Sequence, residues 1–247
     1  MKKIKLGAVS YLNTKPLLYG IEHSPELMQQ IELIKDYPSN IANQLLEGSI
    51  DIGLVPVTVM PAMKEYYIVS DYCIGAEGDV ASVCLFSDVQ LDEIEKILLD
   101  YQSKTSVELC KVLLKYHWKK NIALEDEQQD FAERIRGTTA GVLIGDRALQ
   151  QRKISKHLYD LAGNWKQMTG LPFVFAAWIA NKKLPEDFLF LFNQKNSEGV
   201  NNIEAVLKNN ECSFYDLRTY YTKNISYKLT AEKFKGMNLF LDLMGQL

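Results

Sequence analysis

Residues 3–22 read KIKLGAVSYLNTKPLLYGIE, and this stretch decides the fold. The apolar run Lys3 to Val9 ends in a polar turn at Ser10, as a strand leaving a core does. Pro16 sits at a good helix-opening position, so Thr14 or Lys15 begins a short helix. The pattern then repeats. Ile31 to Ile34 reads as a strand, Pro38-Ser39-Asn40 opens a helix through Leu46, and Gly48 stops it. Ile50 to Val55 is a buried strand ending at Pro56, and Val57 to Met63 resumes as a short helix. Strand and helix alternating three times over predict a parallel sheet with helices on its faces.

Further along, Ile68 to Ile74 and Ala81 to Phe86 are strand-like, with Gly75, Gly78 and Asp79 turning between them. A second α/β series follows: strand Lys96 to Leu99, helix Ser106 to Tyr116, strand Asn121 to Leu124, short helix Phe131 to Arg136, strand Gly141 to Ile144 and helix Asp146 to Arg152. Next come His157 to Leu161 and the aromatic strand Phe173 to Ile179. From Pro185 the tail reads as helical, broken near Asn209 to Ser213 and near Asn224 to Leu229. Two such series predict two three-layer α/β lobes that share the chain discontinuously, residues 1–84 and 175–247 forming the first and 85–174 the second. In open sheets of this kind a ligand lies beyond the carboxyl ends of the strands, here in the cleft between lobes. A single dinucleotide-binding domain lacks support, because no G-x-G-x-x-G follows the first strand and no phosphate-loop lysine motif occurs.

The bulk composition narrows the function class. With 28 basic and 31 acidic side chains the net charge is -3, and without a long basic run nothing suggests a groove for nucleic acid. The apolar stretch after Met1-Lys2-Lys3 is broken by Lys5 and by Ser10 to Lys15, too short for a secretory signal. No segment approaches the roughly 18 apolar residues of a membrane span. The expectation is a cytoplasmic protein with neither nucleic-acid nor membrane partner. Cys73, Cys84, Cys110 and Cys212 form no C-x-x-C pair and read as free thiols, mostly buried; Cys84 faces either the core or the cleft, with the core favoured. His23, His117 and His157 have no metal-binding spacing. The acidic run Glu125 to Gln129 reads as a solvated surface.

Four strand-end loops are candidates for a site. Ser10-Tyr11-Leu12-Asn13 follows the first strand, where helix N–H groups suit a carboxylate; Ser10 and Asn13 equally satisfy a plain turn. Gln102 to Ser106 precedes a helix, with Thr105 or Ser106 as N-cap or as an anion grip. Ser82 enters a strand after a glycine-bearing loop. Gly145-Asp146-Arg147 follows Gly141 to Ile144, with Asp146 a favoured cap residue. No paired carboxylates, nucleophile elbow, zinc spacing or phosphate loop is present. The pattern alone carries the reading to a polar cleft for a small anion.

The strings VSYLNTKPL (9–17), GDVASVCLFS (78–87), SKTSVELC (103–110), GVLIGDRAL (141–149) and DLAGNWKQMTGLPFVFAAW (160–178) together resemble the menaquinone-biosynthesis family of the futalosine route. That resemblance implies a fold similar to type-II periplasmic binding proteins. One branch of the family dehydrates chorismate; the other acts on a later, cyclised intermediate and carries a histidine base. The strand-end loops here contain no histidine, and Tyr-Leu-Asn after the first strand is similar to the chorismate branch. The lysine-rich C-terminal region departs from the family pattern.

The resemblance implies a lyase converting chorismate to 3-[(1-carboxyvinyl)oxy]benzoate, with no cofactor or metal and chorismate as its small-molecule partner. A non-catalytic carboxylate-binding protein is the alternative from another class. On the lyase reading, Ser82, Thr105 and Ser106 bind carboxylate, with Ser10, Tyr11, Gly145 and Asp146 also lining the substrate. Asn13 is the catalytic candidate, set against the ring to orient the departing hydroxyl or the proton path. A neutral amide is a poor base, so the substrate's own enolpyruvyl carboxylate is the alternative proton acceptor.

Overall fold

The computed structural model describes residues 3–128 and 130–247; Met1, Lys2 and Gln129, which the sequence reading touched, lie outside the described residues. Strand β1 (Ile4–Ala8) leads through a 3-10 turn at Leu12–Thr14 into α1 (Lys15–Glu22), α2 (Pro25–Gln30), β2 (Ile31–Lys35), α3 (Pro38–Leu46) and β3 (Ile52–Pro56). A 3-10 segment, Val57–Ala62, precedes β4 (Tyr67–Ala76), β5 (Val83–Ser87) and β6 (Lys96–Leu99). Helix α4 (Lys104–Val112) widens into a π-turn, Leu113–Trp118, that Lys119 ends at φ 53°. There follow β7 (Ala123–Asp126), a 3-10 turn at Ala132–Arg134, β8 (Thr139–Ile144), α5 (Gly145–Gln151), β9 (His157–Asp160), α6 (Leu161–Thr169) and β10 (Phe173–Ala180). The remainder comprises α7 (Glu186–Asn201), α8 (Ile203–Lys208), α9 (Leu217–Thr219) running into a π-turn, β11 (Ser226–Lys228) and α10 (Ala231–Met244).

The strands form two sheets, and the chain divides into two units around them. The first unit runs to Gly75 and takes in Val174–Cys212 and Leu217–Thr230; the second holds Ala76–Phe173, Ser213–Asp216 and Ala231–Leu247. In the first, the sheet order is β11-β4-β10-β3-β1-β2. Strand β1 lies parallel to both β2 and β3, Leu6 standing opposite Leu33 and Ile52, while β10 runs antiparallel to β3. In the second the order is β7-β6-β8-β5-β9, with β6 parallel to β7 and β8, and β5 antiparallel to β8 and β9.

Both cores are built from the strand positions that the apolar pattern marks. In the first unit Trp178 donates to the Oδ1 of Asn196 at 2.8 Å, and Asn196, 0% exposed, in turn donates to the carbonyl of Phe192. This internal bond removes the penalty of burying an amide. Helices α1 and α7 cross with their backbones in contact: a Cβ on Gly20 would lie 2.1 Å from the Lys195 carbonyl oxygen, and one on Gly199 would lie 2.0 Å from that of Pro16. In the second unit Cys84 packs with Phe86, Leu98, Phe131 and Leu143. Trp165, Phe173 and Phe240 form an edge-to-face cluster with centroids 4.9–6.1 Å apart, the geometry aromatic quadrupoles favour.

Several elements differ from their sequence reading. Helix α2 was not expected, although Ser24 caps it by accepting from the N–H of Leu27, and Pro25 occupies its first turn. Helix α6 was also missed, because Gly163 and Asn164 interrupt its apolar period. Val57–Ala62 is 3-10 rather than regular helix, with Pro61 inside it. Strand β7 starts at Ala123 rather than Asn121. The break near Asn224 to Leu229 is itself a strand, β11, hydrogen-bonded to β4. Helix α10 belongs to the second unit, whereas the sequence reading placed all of 175–247 in the first; its Phe240 is what completes the aromatic cluster.

Candidate functional site

Strands β6 and β8 run parallel and end on one rim of the second sheet. Being antiparallel to β8, β5 begins at that rim, and β9 ends there. Helices α4, α5 and α6 all start from it. This topology gathers Ser82, Thr105, Ser106, Gly145 and Asp146 along a single rim.

Asp100, just beyond β6, ties the rim together. It is 2% exposed and accepts from the backbone N–H groups of Gln102 (2.9 Å) and Ile144 (3.2 Å) and from Arg147 at 2.6 and 2.8 Å. Burial pushes its carboxyl up, against the pull of Arg147 and the two N–H donors. The Arg147 guanidinium lies 5.4 Å over the Tyr101 ring.

The cap of α4 is Ser103, not Thr105 or Ser106 as the sequence suggested. Its side chain accepts from the Ser106 N–H at 3.3 Å, and its Oγ lies 2.9 Å from the Ser106 Oγ. Thr105 and Ser106 fall in the first turn, each 1% exposed. Nor is Asp146 a cap. Helix α5 is entered from Ile144 through Gly145 at φ 60°, a left-handed conformation natural to glycine, and Asp146 is half-buried in the first turn. The Gly145 N–H donates to the Ser82 carbonyl at 2.8 Å.

Ser82 itself follows a strained turn. Its N–H donates back to the Val80 carbonyl at 2.8 Å across Ala81, whose φ is 64°. That is the rare γ-turn with positive φ, costly for a residue with a Cβ. The Asp160 carboxylate grips this turn from β9, accepting from Val80 (3.1 Å) and Ala81 (2.7 Å) while also capping α6 through Ala162 and Gly163 (3.1 Å each). Burial pushes Asp160 up to about 6, against those N–H bonds and with a further upward push from Asp79. From the other side Arg152 donates to the Ala81 carbonyl at 3.3 Å and approaches the Cys84 sulfur at 3.4 Å. Cys84 is fully buried in the core, and burial holds its thiol well above the ordinary range.

In the first unit, parallel β1, β2 and β3 end on one rim of their sheet. Ser10 is exposed, and Tyr11 and Asn13 are half-buried. The Asn13 carbonyl accepts from the Tyr227 hydroxyl at 3.0 Å, and Thr14 donates to the Tyr11 carbonyl at 2.9 Å. Burial raises the Tyr227 phenol well above its usual value, so it stays a donor.

The structure thus gathers Ser10, Tyr11 and Asn13 in one unit and the other five candidates in the second. Sequence reasoning placed Arg147 in a candidate loop without giving it a role, and missed Asp100, Arg152, Asp160 and Tyr227. Asp160 carried a signal, a carboxylate before Leu161-Ala162-Gly163 as in a helix cap; Arg152 and Tyr227 carried none. Cys73, Cys84 and Cys110 are buried free thiols, Cys212 is half-buried, and among the described residues no group of three or more His, Cys, Asp or Glu could hold a metal ion. Among the described residues, too, no helix is long and apolar enough to cross a membrane. Chemically, the second rim offers hydroxyls and helix-start N–H groups suited to an anionic oxygen.

A model of the menaquinone biosynthesis family matches residues 4–246. The chain is 24% identical over 269 residues to the chorismate dehydratase of Thermus thermophilus, covering 99% of this chain and 96% of that protein. It is 26% identical over 243 residues to the chorismate dehydratase of Campylobacter jejuni subsp. jejuni, covering 95% of each. The CA3427 gene product of Candida albicans, described as having the generic periplasmic binding protein fold, superposes with a TM-score of 0.71 at 10% identity over 100% of this chain and 91% of that one. The chain is therefore a member of the menaquinone-biosynthesis family, in its chorismate-dehydratase-like group.

Proposed function

We propose that this protein is a lyase that removes water from chorismate to give 3-[(1-carboxyvinyl)oxy]benzoate. The observation that carries the reading is the match over nearly the whole chain to two chorismate dehydratases. The chemistry of the rims is compatible with it. Chorismate brings two carboxylates; Thr105 and Ser106 supply hydroxyls in the first turn of α4, where N–H groups favour negative charge, and Ser82 supplies one on the same rim next to Gly145. Gly145 contributes through its left-handed turn, since its own N–H is taken by Ser82. Asp146 lies in the first turn of α5 and, with Ser10 and Tyr11, lines the substrate.

In the reaction one ring C–H bond and the ring C–OH bond break. The hydroxyl leaves with a proton as water, and the C–H electron pair completes the aromatic ring, which drives the step. Asn13 orients the departing hydroxyl, because a neutral amide donates and accepts hydrogen bonds but is too weak a base to take the proton. The substrate's enolpyruvyl carboxylate takes it and passes it to the departing hydroxyl, so that water leaves and the carboxylate is restored. Incubating the purified protein with chorismate and following the aromatic product by absorbance and mass tests the reading. Product formation is expected; binding of chorismate without its consumption would reduce the protein to a carboxylate-binding one.

A further inference from the structure

We propose that Asp160 and Arg152 are positioning residues, a two-sided clamp that holds Ala81 in its strained turn and thereby fixes Ser82 for the substrate carboxylate. This rests on the reading of Ser82 as a substrate contact. The geometry is specific. One peptide unit beside Ala81 is held through its N–H, which donates to Asp160 at 2.7 Å; the next is held through its carbonyl, which accepts from Arg152 at 3.3 Å and lies 3.4 Å from the Cys84 sulfur. With φ at 64°, Ala81 returns to an ordinary conformation unless both neighbours are held. Ser82 is the next residue, so any relaxation of the turn moves it first.

Neither clamp residue is accounted for by a simpler task alone. Asp160 already caps α6 with one oxygen through Ala162 and Gly163; its other oxygen receives the Ala81 N–H. A cap alone needs only the first of these. Arg152 lies at the end of α5 with its guanidinium 6.0 Å over the Tyr215 ring. That ring contact would hold an arginine there without any bond to Ala81.

A double-mutant cycle tests the clamp. In otherwise wild-type protein Arg152→Met is expected to raise the KM for chorismate about tenfold, less than the roughly 100-fold that a misplacement on the order of 1 Å can cost when it reaches the reacting groups themselves. In a Ser82→Ala background the same substitution is expected to change KM less than twofold. Asp160→Asn should behave likewise, and Arg152→Met, at the half-buried end of a helix, carries the test if Asp160→Asn does not fold. An equal loss in both backgrounds, or a lower melting temperature with KM unmoved, overturns the proposal. If wild-type protein fails to consume chorismate, the functional reading falls, and hydrogen exchange judges the clamp alone. Faster exchange of the Ser82 amide in Arg152→Met, with the rest of β5 still protected, supports it; unchanged exchange overturns it.

Discussion

Asp160 sits in an environment at odds with its chemistry: a carboxylate 6% exposed, held by four N–H groups and still pushed up to about 6. Its ordinary value is 3.8. Between about pH 4 and 6 the folded chain keeps a proton that the unfolded chain releases, so this group's contribution falls as pH rises through that window. Two pKa steps correspond to about 3 kcal/mol. Urea titrations from pH 4 to 7 are expected to show this decline in wild type and to lose it in Asp160→Asn; parallel curves for the two proteins would contradict it. At Asn13, replacement by alanine is expected to lower kcat by about 100-fold or more while KM moves only a few-fold, the signature of a contact realised in the transition state. Steady-state kinetics decides this, and unchanged turnover would remove Asn13 from the mechanism. The places of Asn13 and Ser82 in the fold were legible because Asn13 comes just after the first strand-like run and Ser82 enters a later one from a glycine-bearing loop. Tyr227 was not, because its pairing with Asn13 spans 214 residues and no local period announces it.

Helices α1 and α7 make the sharpest element-scale prediction. Gly20→Ala puts a methyl group 2.1 Å from a backbone oxygen, which no rotamer change can relieve. Alanine gains about 1 kcal/mol in helix propensity over glycine, but overpacking against a fixed backbone costs about 1–3 kcal/mol, and with the close oxygen belonging to the backbone the second effect wins. Chemical denaturation is expected to show a net loss of up to about 2 kcal/mol; a stabilised variant would mean that the helices separate freely. At the start of α4, Ser103→Ala is expected to lose about 1 kcal/mol, again read by denaturation, whereas Ser106→Ala should leave stability nearly level. At this scale the sequence was most readable where strand and helix alternate strictly, from β2 through α3 to β3. It was least readable at α6 and β11: the one has a broken apolar stripe, and the other is three residues long and exists by virtue of pairing with β4.

Over the whole molecule, the two sheets were foreseeable from two runs of α/β alternation, but the allegiance of the last helix was not. An amphipathic segment states that it packs, not upon what. Phe240→Ala removes a ring 4.9 Å from Phe173 and 6.1 Å from Trp165 and is expected to destabilise the second unit by about 3–5 kcal/mol. Trp178 belongs to the first unit and Trp165 to the second, so single-tryptophan variants report on each. The Trp165 transition should move to lower denaturant while the Trp178 transition holds; an equal shift in both would mean that the units unfold as one.

The placement of α10 bears on how the protein comes into being. Chain leaves the ribosome from the N-terminus at about 5–20 residues per second. The first sheet waits for β10 and β11, and the second unit, begun at Ala76, waits for Ala231–Leu247. For most of its synthesis the nascent chain therefore carries two half-built cores, with Trp165 and Phe173 lacking their last partner. Such a chain is an obvious client for chaperones, and its yield in a cell should track their supply more closely than its finished stability.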